Sequence, residues 1–254
     1  MLEAFKNLFR RKSAEKVIYS SKEGDDTISV VDSGNERSVK LNNITYSRLN
    51  NKSLYTNSYW DYFTPLPALY KKPKVLMIGL GGGTITFQLK KIFGGKVSID
   101  VIELSKKMVE ASEYFLQKKL NGVKIIVDDG ARYIKTKRDF YDIVILDAYE
   151  GDRIPSVFLA EEFTLDAYKC LKSDGVFAVN YALSLSALVY LEHYLKDLRR
   201  LFNVYTINNP FTSGNMVILG SKEFNRDELL RRIKDGFKEN DENRAVLTGY
   251  KEMT

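Results

Sequence analysis

Glycines and carboxylates stand in this chain where a nucleoside could be held. Val75-Leu-Met-Ile-Gly-Leu-Gly-Gly-Gly-Thr84 runs from four apolar residues into a loop that is almost all glycine. The chain then turns helical in pattern at Thr84-Ile-Thr-Phe-Gln-Leu-Lys-Lys91. A buried strand, a tight glycine turn and a helix N-terminus let backbone N–H groups come close to a ligand. Gly79, Gly81, Gly82 and Gly83 are therefore candidate contacts. A second strand, Ser98-Ile-Asp-Val-Ile-Glu103, ends in an acid that can accept hydrogen bonds from both hydroxyls of a ribose. Two more strand-like runs end in acids: Val123–Val127 before Asp128-Asp-Gly130, and Asp142–Leu146 before Asp147. Asp128 or Asp129 could take the amino group of an adenine, with Gly130 letting the base lie close; each could equally cap a helix.

The glycine spacing selects among nucleoside ligands. A dinucleotide site wants glycine or alanine three positions after the second glycine, where helix and strand touch. Counting from Gly79 and Gly81, that residue is the β-branched Thr84. A site for a single nucleoside, with no pyrophosphate to cradle, fits better than one for NAD.

The elements around these residues alternate. Strands are predicted at 75–80, 98–103, 123–127, 142–147 and 175–180, with helices at 85–93, 106–118, 131–137 and 159–171. A longer helix over 185–201 and two strands, 204–208 and 216–219, follow. Open α/β sheets bind ligands beyond the carboxyl ends of their strands, where these acids lie. Seven strands of this order predict a Rossmann-like, mostly parallel sheet with an antiparallel strand near its edge. Residues 15–50 read instead as short strands and hairpins, with Asp32-Ser-Gly-Asn-Glu36 as one turn. The expected organisation is a small N-terminal β-hairpin domain over 1–63 and a Rossmann-like nucleoside-binding domain over 64–254. A charged helix and a mobile tail are expected after Asn225.

Composition narrows the function. The 254 residues are 44% apolar, enough for a sizeable core. No apolar run approaches the ~20 residues of a membrane span, and no signal peptide is visible. A single cysteine, Cys170, excludes an intrachain disulfide and fits a cytoplasmic protein. The net charge of +6 is spread over helices as Lys90-Lys91, Lys106-Lys107 and Lys118-Lys119 beside acids, which reads as solvated faces and not as a nucleic-acid surface. Arg10-Arg11-Lys12 follows an apolar helical face of Leu2, Phe5 and Phe9, read as a frayed or partner-docked terminus. His193 lies in a helical pattern and reads as a surface or packing residue. There is no Cys/His cluster for a metal.

Residues 45–220 resemble the spermidine synthase family, within the wider group of AdoMet-dependent methyltransferase folds. The resemblance rests on Gly79-Leu-Gly-Gly-Gly83, Glu103, Asp128-Asp-Gly130 and Asp147-Ala-Tyr-Glu150, with Leu159-Ala-Glu-Glu-Phe163 and Leu171-Lys-Ser-Asp-Gly-Val176 adding to it. It implies a transferase that moves an aminopropyl group from decarboxylated AdoMet to a small-molecule diamine or polyamine. The glycine loop and Glu103 would hold the ribose and thioether side, Asp128 and Asp129 would flank the adenine, and Asp147 would prepare the amine. Glu150, the second catalytic candidate, stands where the family has a second aspartate and would hold the cationic amine; Thr84 stands where the family has an acid after the glycines. Tyr59, Trp60, Asp61 and Tyr149 are the candidate walls for the amine. The small β domain implies a homodimer or higher homo-oligomer. Methyl transfer from AdoMet and a non-catalytic nucleoside-binding, dimerising module are the alternatives.

Overall fold

The computed structural model describes residues 14–117, 120–151, 153–208 and 214–254. The basic cluster at 10–12 and the apolar face of Leu2, Phe5 and Phe9 lie outside them. Among the described residues no helix is long and apolar enough to cross a membrane.

Four strands, β1 (Lys16–Glu23), β2 (Asp26–Ser33), β3 (Glu36–Leu41) and β4 (Ile44–Asn50), form an antiparallel meander. Two-residue turns join them, and each turn opens on a residue of positive φ: Gly24, Gly34 and Asn42. Only glycine, or asparagine less readily, takes that conformation without strain. The chain then passes through helical turns at Tyr59–Phe63 and Leu66–Leu69.

From there strand and helix alternate: β5 (Lys74–Ile78), α1 (Thr84–Phe93), β6 (Ser98–Glu103), α2 (Lys106–Phe115), β7 (Val123–Val127), α3 (Gly130–Ile134) and β8 (Tyr141–Leu146). Two helices, α4 (Ser156–Leu159) and α5 (Glu161–Cys170), lead into β9 (Leu171–Ala182). The single helix predicted over 159–171 is thus broken at Ala160, whose extended backbone serves as the cap of α5. The chain continues through α6 (Leu185–Arg199), β10 (Asn203–Asn208), β11 (Asn215–Ser221), α7 (Arg226–Gly236) and α8 (Arg244–Lys251).

The second sheet has seven strands in the order β10-β11-β9-β8-β5-β6-β7. Strands β9, β8, β5, β6 and β7 are parallel, and β11 joins β9 antiparallel. Its central strands alternate between two cores. Val75, Met77, Ile143 and Ile145 face one, and Leu76, Ile78, Val144 and Leu146 the other. Burial on both faces is why these runs are continuously apolar. This is the mostly parallel seven-stranded sheet that the alternation of strands and helices predicts, of the Rossmann-like, methyltransferase type that the resemblance implies, with the small antiparallel sheet before it.

Topology also locates the ligand end. From β5 the chain moves outward to β6 and β7, then returns to β8 on the other side of β5. The crevice at this reversal opens beyond Ile78 and Leu146. Ser105 and Asp129 cap the helices that begin there, accepting from the N–H groups of Met108 and of Ala131 and Arg132.

The tail expected after Asn225 is instead packed. Val246, Leu247, Tyr250 and Met253 are buried, and the Tyr250 hydroxyl donates to the Tyr62 carbonyl at 2.6 Å. Charge dominates this segment, but the four apolar residues are spaced to share one helical face. Cys170 is buried where α5 meets β9, and burial pushes its thiol up to about 12.

The small sheet docks on the glycine loop. Ile28, Val30 and Val39 pack on Met108, Ala111, Phe115 and Leu116. A Cβ on Gly82 would lie 2.5 Å from Val39 Cγ2 and 2.7 Å from Ser47 Cβ, and the Gly82 N–H donates to Ser47 Oγ at 2.7 Å. Gly82→Ala is therefore expected to destabilise the protein by about 1–3 kcal/mol, as overpacking does. An unchanged denaturant midpoint would show that the seam has slack.

Candidate active site

Two cavities open at the carboxyl ends of the central strands. The larger, about 370 Å³, is lined by Gly79 and Gly81 beyond β5, Glu103 beyond β6, Asp128, Asp129 and Gly130 beyond β7, and Asp147 beyond β8. The smaller, about 200 Å³, is lined by Tyr46, Tyr59, Asp147, Tyr149, Asn180 and Asn215, among others. Tyr46, Gly81, Asp147 and Tyr149 belong to both. The two cavities meet at one carboxylate.

Glu103 is held by the loop it faces. Its carboxylate accepts from the N–H of Leu80 at 2.8 Å and of Ser105 at 2.9 Å. Burial pushes its pKa up, and the surrounding N–H groups pull it back. The N–H groups of Gly81 and Leu104 also act on it, so a ligand hydroxyl would share these oxygens with the loop backbone.

Asp128 is paired with Arg132, whose guanidinium holds its carboxyl below the usual range. Asp129 spends one oxygen on capping α3 and is otherwise exposed on the rim. Gly130 is needed by the protein itself: a Cβ there would lie 2.4 Å from Ile78 Cγ2. Gly79 likewise has φ +90°, and a Cβ would meet the Asp147 carbonyl at 2.2 Å.

Asp147 is the most perturbed carboxyl of the site. Burial raises it to about 6, opposed by hydrogen bonds from Asn180 and Tyr59. The Asn180 amide donates to its Oδ1 at 2.7 Å. Burial, with Asp147 beside it, drives the Tyr59 phenol well above its ordinary value, so Tyr59 stays a donor. The Tyr149 hydroxyl donates to the Asn180 carbonyl at 2.9 Å.

The other sequence candidates fall elsewhere. Gly82 and Gly83 face protein, the latter toward Leu116 and Leu80, and neither lines a cavity. Trp60 is buried in the core beside the helical turn that carries it. Asp61, 2% exposed, accepts from Thr56, Ser58 and the Gln88 amide, which commits it to structure. Glu150 is exposed on the rim of the larger cavity and does not reach the smaller one. His193 is exposed on α6, 3.4 Å from Asp197. Thr84 is 1% exposed and pins the small sheet, donating to the Arg48 carbonyl at 3.0 Å and accepting from its N–H at 3.2 Å.

Tyr46, Asn180 and Asn215 were not singled out in the sequence. Asn180 carried a usable signal, since a primary amide inside the buried run Val176–Tyr181 must find partners.

Residues 57–229 match the spermine/spermidine synthase domain. The chain belongs to the spermine/spermidine synthase family. A polyamine aminopropyltransferase of Vibrio vulnificus is 30% identical over 154 residues, which are 59% of this chain and 50% of that protein. The chain thus spans about half the length of that relative. A polyamine aminopropyltransferase of Neisseria meningitidis serogroup B is 26% identical over 84% of each chain. The fold is similar to the spermidine synthase of Thermotoga maritima, with TM-score 0.65, 20% identity and coverage of 92% of this chain and 88% of that one. Within this family, the chain has the buried Thr84 directly after its glycines, and uses it to bind its own small sheet.

Proposed function

We propose that this protein is an aminopropyltransferase acting between decarboxylated AdoMet and a small diamine or polyamine. The observation that carries the reading is the meeting of the two cavities at Asp147. The larger suits the nucleoside, with Glu103 toward the ribose and Asp128, Asp129 and Gly130 toward the base. The smaller, walled by Tyr59 and Tyr149, suits the amine. The larger cavity also fits this donor by charge. Seven carboxylates and no lysine or arginine are among its described lining residues. Such a lining favours a cationic donor without a carboxylate of its own over AdoMet.

When bound, the donor presents a carbon attached to a sulfonium sulfur; a C–N bond to the amine forms as the C–S bond breaks, its electron pair passing to sulfur. The residues do the rest. A free aliphatic amine, like lysine, has a pKa near ~10.4 and arrives protonated. Asp147, at about 6, is ionised at neutral pH and accepts that proton from the nitrogen. Tyr59 and Asn180 orient the carboxylate, and the rings of Tyr59 and Tyr149 offer cation–π contact to the substrate. Holding nitrogen in line supplies much of the remaining acceleration. The same reading has the protein in the cytoplasm as a homodimer or higher homo-oligomer, with Val17 and Ile44 of the small sheet exposed for contact.

The test is transfer itself. Purified protein given decarboxylated AdoMet and a panel of diamines and polyamines is expected to release methylthioadenosine and an aminopropylated amine, with rate falling as pH drops through about 6. Methylated product from AdoMet alone would replace the assigned chemistry. Binding of methylthioadenosine without transfer from either donor would leave a nucleoside-binding module.

A further inference from the structure

Three neighbouring strands carry a line of amides to Asp147. The Asn215 amide on β11 donates to Asn180 Oδ1 on β9 at 2.8 Å. The Asn180 amide donates in turn to Asp147 Oδ1, just beyond β8, at 2.7 Å. Because Asn180 Oδ1 accepts from Asn215, its NH₂ end must face the carboxylate. Turned the other way, two amide donors would oppose each other and two acceptor oxygens would meet. Asn180 is 1% exposed and sits in an otherwise apolar strand. Tyr149, two residues after Asp147, fixes the same point from the backbone side through the Asn180 carbonyl.

We propose that Asn215 and Asn180 are positioning residues that act in series on Asp147, holding its carboxylate ionised and aimed at the junction of the two cavities. Neither need touch the reacting atoms. Asn180 supplies the donor, and Asn215 sets which end of Asn180 faces the acid. Other titratable groups surround Asp147. Tyr46, Tyr59 and Tyr149 bring phenols from the small sheet, the helical turn and its own loop. Glu103, Asp128, Asp129 and Glu150 bring carboxylates across the larger cavity. The phenol of Tyr59 also donates to Asp147, so the relay supplies one of two donors.

The kinetic arm of the test rests on the aminopropyl reading; the titration arm does not. Asn180→Leu and Asn215→Leu are compared with wild type in the ligand-free protein, following the Asp147 carboxyl by carbon-13 NMR. Losing the donor removes a bond that favours the charged form, so the midpoint is expected to rise from about 6 in both variants, more in Asn180→Leu. The low-pH limb of kcat is expected to move with it, giving about a 10-fold loss near pH 7 that recovers at high pH. Asn180→Gln, which keeps the amide, should restore part of this. The double variant should add little to Asn180→Leu, because the two act in series. Asn215, half-buried at the end of its strand, carries the test alone if Asn180→Leu fails to fold. An unmoved midpoint in a cooperatively melting Asn215→Leu protein overturns the relay. A shifted midpoint without aminopropyl transfer keeps the relay and removes the proposed reaction.

Discussion

Asp147→Asn is expected to lower turnover about 10²–10⁴-fold, the usual worth of a general base, while making the protein more resistant to unfolding at pH 8. The two effects share one cause. Folding takes the carboxyl from an ordinary 3.8 to about 6 by burying it. The folded protein therefore holds this proton more tightly than the unfolded chain. Stability from the group is complete below about pH 4 and is lost as pH rises through about 6. At pH 8 the buried charge weighs against the fold by up to about 3 kcal/mol, at 1.36 kcal/mol per pH unit. An asparagine has the same shape and no charge, and still accepts a hydrogen bond. Its melting advantage should appear at pH 8 and vanish near pH 4. A variant as active as wild type would remove Asp147 from the chemistry. A variant less stable than wild type at pH 8 would show that the bonds from Asn180 and Tyr59 outweigh burial.

Glu103→Ala is expected to weaken methylthioadenosine binding by about 10²–10⁴-fold. Two charge-assisted bonds to ribose hydroxyls, each worth about 1.5–3 kcal/mol, account for that range. The substitution also releases the N–H groups of Leu80 and Ser105, so part of the loss comes from a loosened loop. Glu103→Gln separates the contributions, since the amide keeps one acceptor oxygen and little charge. It should bind with intermediate affinity and melt between the other two proteins, because Leu80 and Ser105 donate to different oxygens and one N–H would face the new NH₂. Calorimetric titration of the three proteins decides the matter. Affinity in Glu103→Ala equal to wild type would leave the carboxylate a loop brace and nothing more.

How much of this was legible in the sequence depends on where each residue's partners lie. Strand-end acids were legible because strand and turn are local patterns. Glu103 and Asp147 each end a short run rich in β-branched residues that reads as a strand, and in this sheet strand ends point at the crevice. The seven strands along the chain were legible for the same reason, while their lateral order in the sheet was not. Gly82, Gly83 and Thr84 were not. They continue the glycine loop, but the atoms that exclude a side chain there belong to Val39, Ser47 and Leu116, and Thr84 is held by Arg48. Nothing in the loop announces a remote sheet. Asp61 looked available because it sits among aromatic residues; its nearest donors, Thr56 and Ser58, had already taken it. The buried face of α8 was hidden by the charges around it. The amide line from Asn215 to Asp147 joins residues far apart in the chain, and only strand order brings them side by side.

Cys170 gives the protein an experimental convenience. Its thiol is shielded where α5 meets β9 and titrates near 12, so almost none is thiolate in ordinary labelling buffers. Since it is the sole cysteine of the sequence, the native protein should stay dark to maleimide dyes. A cysteine introduced at Leu104, which is 75% exposed and adjoins Glu103 on the rim of the larger cavity, would then carry the only fluorophore. Ligand entry could be watched from that position in real time, with every residue of the two cavities' shared wall left as nature has it.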